Sequence, residues 1–174
     1  MFRIIKYLIS FLVLIIIFVI LIKGLQNNNK QTINDKLIKI NKNIIFETLY
    51  NDETFTLKNL SNKNKYLIIN IWASWCSPCR EEHHYLMTLK DNGITILGLN
   101  YKDNSTNAKF FINEMGNPYS KILLDKDGTK SIELGAIGVP ETYLYDTDSY
   151  NIIKKYIGPL DDQKTKDILE LIKK

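Results

Sequence analysis

Three patterns of hydrophobic and polar positions divide this 174-residue chain. The first is a continuous apolar run: from Tyr7 to Ile22 every residue is apolar except Ser10. With Ile4 and Ile5 across Lys6, the run reaches the ~20 residues that a helix needs to cross a bilayer core. A helix apolar on every side has no place inside so small a domain, so residues 1–25 are expected to be a membrane anchor. A cleaved signal peptide would instead need a site of small residues after the apolar run. The actual exit, "VILIKGLQNNNK", offers only Gly24. Residues 26–34, which contain "QNNNKQ", then read as a polar tether, and residues 35–174 as the folded domain.

The second pattern is short β-rich runs and the third is helical spacing. "KNIIFETLYNDETFTL" (residues 42–57) predicts two short strands around a turn at Asn51 and Asp52. "KYLIINIW" (65–72) and "ITILGLN" (94–100) are continuous apolar runs, as expected of strands covered on both faces. Between them, Leu86, Met87 and Leu89 recur at helical spacing after Pro78, and Asn92-Gly93 ends that helix. "STNAKFFINEM" (105–115) predicts a second helix with Ser or Thr as its N-cap. "KILLD" is a strand followed by a turn at Asp127-Gly128, and "ETYLYD" and "NIIKKYIG" form a hairpin around Asp148-Ser149. A last helix runs from Asp161 to Lys174, with Ile168, Leu169 and Ile172 on one face and charges suited to the helix dipole at its ends. The order is β-hairpin, β-α-β-α, then β-β-α. It predicts an α/β domain with a mixed sheet, parallel in the middle, and helices on both faces.

Composition adds little, but charge adds direction. With 45% hydrophobic and 24% charged residues the chain is ordinary globular protein. Its net charge of +4 arises entirely before Asp35, from Arg3, Lys6, Lys23 and Lys30. The remainder is formally neutral, which removes the electrostatic ground for nucleic-acid binding. Arg3 and Lys6 precede the apolar run, so the positive-inside rule keeps the N-terminus cytoplasmic and exports the remainder of the chain.

Both cysteines, both histidines and both tryptophans lie in "WASWCSPCREEHH", Trp72 to His84. A Cys76–Cys79 bridge closes so short a loop that the chain-entropy gain is only about 2 kcal/mol, so a purely structural staple explains little. Haem attachment requires CxxCH, and Arg80 follows Cys79. A metal site of Cys76, Cys79 and His83 remains open, although the chain has no second CxxC or distant histidine. Redox exchange uses every feature: a buried strand delivers Cys76 to a helix N-terminus, where backbone N–H groups stabilise a thiolate. Cys76 is then the nucleophile, Cys79 the resolving thiol, Pro78 a first-turn residue and Trp75 an apolar neighbour. Glu81 and Glu82 read as carboxylates that favour the first helical turn, and His83 and His84 as surface residues. In "GAIGVPETY" (135–143), Pro140 is either an ordinary proline at a strand start or a cis proline. If cis, the backbone of Val139 would be free to pair with an extended substrate.

"WASWCSPCREE", "GLNYKD" and "GAIGVPET" together resemble the DsbE/CcmG family, the membrane-anchored thioredoxin-like proteins of bacterial cytochrome c maturation. The resemblance implies a thioredoxin-like fold with an N-terminal β-hairpin, and a bacterial inner-membrane protein whose C-terminal domain lies in the periplasm. It also implies that Pro140 is cis and that Glu141 lies close to the cysteines, where a carboxylate would oppose thiolate formation and shuttle its proton. The implied reaction is reduction of the CxxCH disulfide of apocytochrome c, with electrons from a membrane thiol reductase and no cofactor. Reduction of another exported target, such as a copper-site assembly protein, and metal carriage are the competing expectations. His84 stands where the family usually has proline, so a helix kink should be missing.

Overall fold

The computed structural model describes residues 2–27, 38–51, 53–60 and 65–173, which fall into two units, Met1–Lys36 and Leu37–Lys174. The first unit holds helix α1 (Phe2–Asn27). Within it Ile5–Lys23 is long and apolar enough to cross a bilayer, and none of that stretch is buried by other residues of the structure. Gln26 and Asn27, polar enough to read as tether, complete this helix. The rest of the expected tether and the expected domain start at Asp35 lie outside the described residues, as do Asp52 of the hairpin turn and Lys174.

The second unit is built from β1 (Ile38–Lys39), β2 (Ile45–Thr48), β3 (Thr54–Thr56), a 3-10 turn (Leu57–Leu60), β4 (Tyr66–Trp72), α2 (Ser77–Asp91), β5 (Ile96–Tyr101), α3 (Ser105–Met115), β6 (Lys121–Asp125), α4 (Thr129–Glu133), β7 (Glu141–Asp146), β8 (Asn151–Ile157) and α5 (Asp162–Ile172). The strands form one sheet in the order β1-β8-β7-β4-β5-β6-β2-β3. As expected, β4, β5 and β6 are parallel neighbours, and β7 and β8 form an antiparallel hairpin. The β2–β3 hairpin joins the sheet through antiparallel pairing of Glu47 and Thr48 with Leu124 and Leu123 of β6.

Alternation along the central strand sorts the core into two clusters. Ile68 and Trp72 of β4 join Cys76, Cys79, Leu86, Phe111 and Ile168, so α2, α3 and α5 cover one face. Ile69 and Ile71 join Leu97, Leu99, Tyr143 and Tyr145 on the other. There, among the described residues, no side chain of α2, α3 or α5 enters the cluster; Leu134, just after the five-residue α4, and Ile40, Phe46 and Leu57 supply cover. Helices lie on both faces, but very unequally. Gly98 of β5 marks the tightest point: a Cβ there would come within 2.8 Å of the Trp72 indole nitrogen and 2.9 Å of the Tyr119 ring.

Three local features differ from expectation. The N-cap of α3 is Asn104, whose side chain accepts from the amides of Thr106 and Asn107, so Ser105 and Thr106 fall inside the first turn. Strand β1 is too short to carry a period. Helix α4 is equally silent in the sequence, because its N-terminal amides at Lys130 and Ser131 donate to the carboxylate of Asp125 at the end of β6.

Candidate functional site

Strand β4 ends at the buried Trp72, and the chain turns through the buried Ala73, then Ser74 and Trp75, into α2. Cys76 is the N-cap, in extended conformation, and its Sγ accepts from the Cys79 amide at 3.2 Å. Pro78 occupies the first turn, where its missing N–H removes no intrahelical bond. Cys76 and Cys79 are joined in a disulfide with their Cα atoms 5.3 Å apart. Cys76 is only 5% exposed and Cys79 2%, whereas Trp75 beside them is 59% exposed. Arg80 turns away, pairing with Glu114 at 2.8 Å and lying over the Phe111 ring.

The Val139–Pro140 bond is cis. Val139 is partly buried and packs against both core clusters, including the one that holds both cysteines. The Pro140 carbonyl is occupied by the Gly158 amide at 3.0 Å. Glu141 is buried, but its carboxylate is directed elsewhere than expected. Oε1 accepts from the amides of Ile137 (2.8 Å) and Gly138 (2.9 Å), and Oε2 from the Tyr143 hydroxyl at 2.5 Å. Strand alternation sets Glu141 on the Tyr143 face of β7, opposite the face that carries the cysteines. Its hydrogen bonds hold the loop that leads into Pro140 and reach neither sulfur.

The carboxylate on the cysteines' side of the sheet is Glu82, one helical turn beyond Cys79. Far from decorating the first helical turn at the surface, it is fully buried. Oε1 accepts from the Asn70 amide at 2.9 Å and Oε2 from the Leu160 amide at 2.7 Å. Asn70 also donates to Thr142 and accepts from the Tyr119 hydroxyl, closing a polar network beneath the disulfide. Burial pushes the Glu82 carboxyl up to about 7, against the lowering effect of its two donors and of the Lys164 charge. Burial likewise raises the Tyr119 hydroxyl well above its ordinary value.

The histidines separate. His84 is exposed, as expected, and stacks on Tyr85 with Nδ1 near the Glu81 carbonyl. His83 is buried, contrary to the surface reading, because it falls on the inner stripe of α2 with Cys79, Leu86 and Leu89. Its Nε2 meets the Gly116 carbonyl at 3.0 Å, its ring edge meets Phe111, and burial lowers its pKa. Among the described residues, no three His, Cys, Asp or Glu side chains are grouped so as to hold a metal ion.

The chain carries a CxxC disulfide at a helix N-terminus and a cis proline, and the family description Redoxin matches residues 36–172. The chain belongs to the redoxin family. Among redoxins it is 43% identical over 123 residues to the thiol:disulfide interchange protein DsbE of Tatumella citrea, covering 70% of this chain and 65% of that one. It is 34% identical over 143 residues to DsbE of Pasteurella multocida, covering 80% and 77%. The chain thus spans somewhat less than two thirds of the Tatumella protein. A solved redoxin-like structure, the secreted thiol-disulfide isomerase of Corynebacterium glutamicum, superimposes with a TM-score of 0.66 at 22% identity, covering 80% of this chain and 86% of that one. That likeness establishes the thioredoxin-like fold.

In this redoxin Cys76 and Cys79 form the disulfide, Trp75 beside them is exposed and the Val139–Pro140 bond is cis, while Glu82, expected only as a first-turn carboxylate, is buried. The signal was present: a carboxylate three residues after Cys79 and four before Leu86 lies on the apolar stripe of the helix. Its partners, at Asn70 and Leu160, are fixed only by the fold.

Proposed function

We propose that this chain is a thiol:disulfide oxidoreductase that reduces the CxxCH disulfide of apocytochrome c before haem attachment. Residues 1–25 anchor it in the bacterial inner membrane, residues 26–34 tether it, and residues 35–174 act in the periplasm. The observation that carries this reading is the Cys76–Cys79 disulfide at the α2 N-terminus with Glu82 buried one turn behind it. Likeness to DsbE proteins supports the target.

A membrane thiol reductase delivers two electrons and two protons, opening Cys76–Cys79 to a dithiol. The α2 N-terminus stabilises the Cys76 thiolate, which attacks one sulfur of the substrate disulfide; the other substrate sulfur leaves as thiolate and takes up a proton. Glu82 in its ionised form accepts the Cys79 proton. The Cys79 thiolate then attacks Cys76 of the mixed disulfide, regenerating the bridge and releasing the second substrate thiolate. Two electrons and two protons pass to the substrate. Trp75 and the backbone of Val139 receive the substrate chain beside Pro140, and Glu141 holds that loop in shape.

The test is a deletion strain complemented with the full chain. Restoration of c-type cytochromes by the wild type but not by Cys76→Ser is expected. Restoration of copper-oxidase assembly instead, or a reduction potential near the strongly oxidising value of about −120 mV, would overturn the reading.

A further inference from the structure

We propose that Asp103 is a positioning residue of the redox site, which sets the turn before Cys76 and the pose of Trp75 so that a polypeptide can dock on the indole. The inference rests on the disulfide-reductase reading above and assigns a role to the "GLNYKD" segment. The Asp103 carboxylate accepts four hydrogen bonds, two on each oxygen. Oδ2 accepts from the Ser74 amide at 2.6 Å and from the Asn100 side chain at 2.9 Å. Oδ1 accepts from the Ser74 hydroxyl at 2.7 Å and from the Asn104 amide at 2.8 Å. One carboxylate therefore grips both donors of Ser74, two residues before the nucleophile, and also the residue that caps α3.

The preceding residue completes the bracket. Lys102 has φ 45°, in the left-handed region that strains a side-chain-bearing residue. Its amide donates to the Asp125 carbonyl at 2.9 Å, and in this pose its carbonyl accepts from the Trp75 indole nitrogen at 3.1 Å. Trp75 is therefore an exposed ring whose edge is tied to backbone, while Cys76 next to it is almost wholly covered. A chain carrying the disulfide to Cys76 must cross that ring. Fixing the indole beforehand removes the entropy that docking would otherwise spend ordering it. The bracket makes no bond to either sulfur, so its removal should act on capture of a polypeptide and leave thiol exchange intact.

The two tryptophans make this measurable, because Trp72 is buried and only Trp75 is open to a soluble quencher. The full chain in detergent would be assayed with an oxidised CxxCH peptide, with insulin and with bis(2-hydroxyethyl) disulfide, which is too small to span the indole. Asp103→Asn is expected to raise the KM for the peptide about tenfold, the equivalent of ~1.4 kcal/mol, with kcat and the small-disulfide rate unchanged. Acrylamide quenching and anisotropy should report a freer Trp75. Ser74→Ala, which removes only the hydroxyl bond, should shift the same quantities less and guards against a folding defect in the first variant. An unchanged peptide KM in both variants, or equal slowing of peptide and small disulfide, would overturn the proposal. If the wild type reduces insulin but not the CxxCH peptide, the cytochrome reading fails, and the same comparison on insulin still decides the role of Asp103.

Discussion

Glu82 has an electrostatic consequence that falls within the ordinary pH range. Its pKa in the folded chain, about 7, lies above the ordinary 4.5 of a free glutamate. The stability tied to this group is therefore complete below pH 4.5 and is lost as pH rises through about 7. At ~1.36 kcal/mol per unit, the loss approaches roughly 3 kcal/mol. Urea unfolding of wild type and Glu82→Gln should show the variant gaining about that much relative to wild type between pH 4.5 and pH 8. His83 and the other titrating groups are common to both proteins, so parallel profiles would mean that the carboxyl is not buried as described. A second prediction concerns the sulfurs. Cys79→Ala should accumulate a mixed disulfide with an oxidised CxxCH peptide, visible on a non-reducing gel, and Cys76→Ala should not; the opposite pattern would exchange the roles of the two thiols. The cysteine pair was legible in the sequence because its chemistry is tied to local spacing, whereas the residues around Pro140 left an ordinary and a cis proline open and only the family resemblance implied the cis bond. Glu82 was not legible, and the carboxylate of Glu141, which the resemblance set close to the cysteines, bonds to the Ile137–Gly138 loop and Tyr143, because the partners of a buried carboxylate come from elsewhere in the fold.

At the scale of elements, legibility followed length. Strands β4 and β5 and helices α2, α3 and α5 appear where their apolar patterns put them, since each buries a long stripe. The two-residue β1 and five-residue α4 have too few positions for a stripe, and the cap of α3 is displaced because Asn104 outcompetes the hydroxyls after it. Helix α2 runs past His84 to Asp91. The close approach at Gly98 supplies a test of packing. Trp72 and Tyr119 stack with ring centroids 5.5 Å apart and leave no room for a methyl group in β5. Gly98→Ala should destabilise the chain by about 1–3 kcal/mol in thermal or denaturant unfolding, because two large buried rings must move. A variant as stable as wild type would show that the stack is loose.

For the whole molecule, the proposed anchor matters through concentration. Confining the redox unit to a membrane that also carried the proposed reductant would turn a three-dimensional search into a local one. A chain beginning at Asp35 should retain peptide reduction in solution, yet yield less c-type cytochrome than the anchored chain at equal, low expression. Overexpression should close the gap; equal yields at low expression would remove the role assigned to residues 1–25. The disulfide has a consequence on this scale as well. It links residues only three apart in sequence, so it closes no loop that spans the fold. Opening it leaves the denatured chain almost as free as before, a difference of about 2 kcal/mol at most. A thermodynamic cycle then ties any further stability difference between the two redox forms to native interactions alone, at ~30 mV per ~1.4 kcal/mol. Redox poise and the global fold are thereby set by largely separate contacts, so that substitution around the two cysteines is expected to tune the first with little effect on chain entropy.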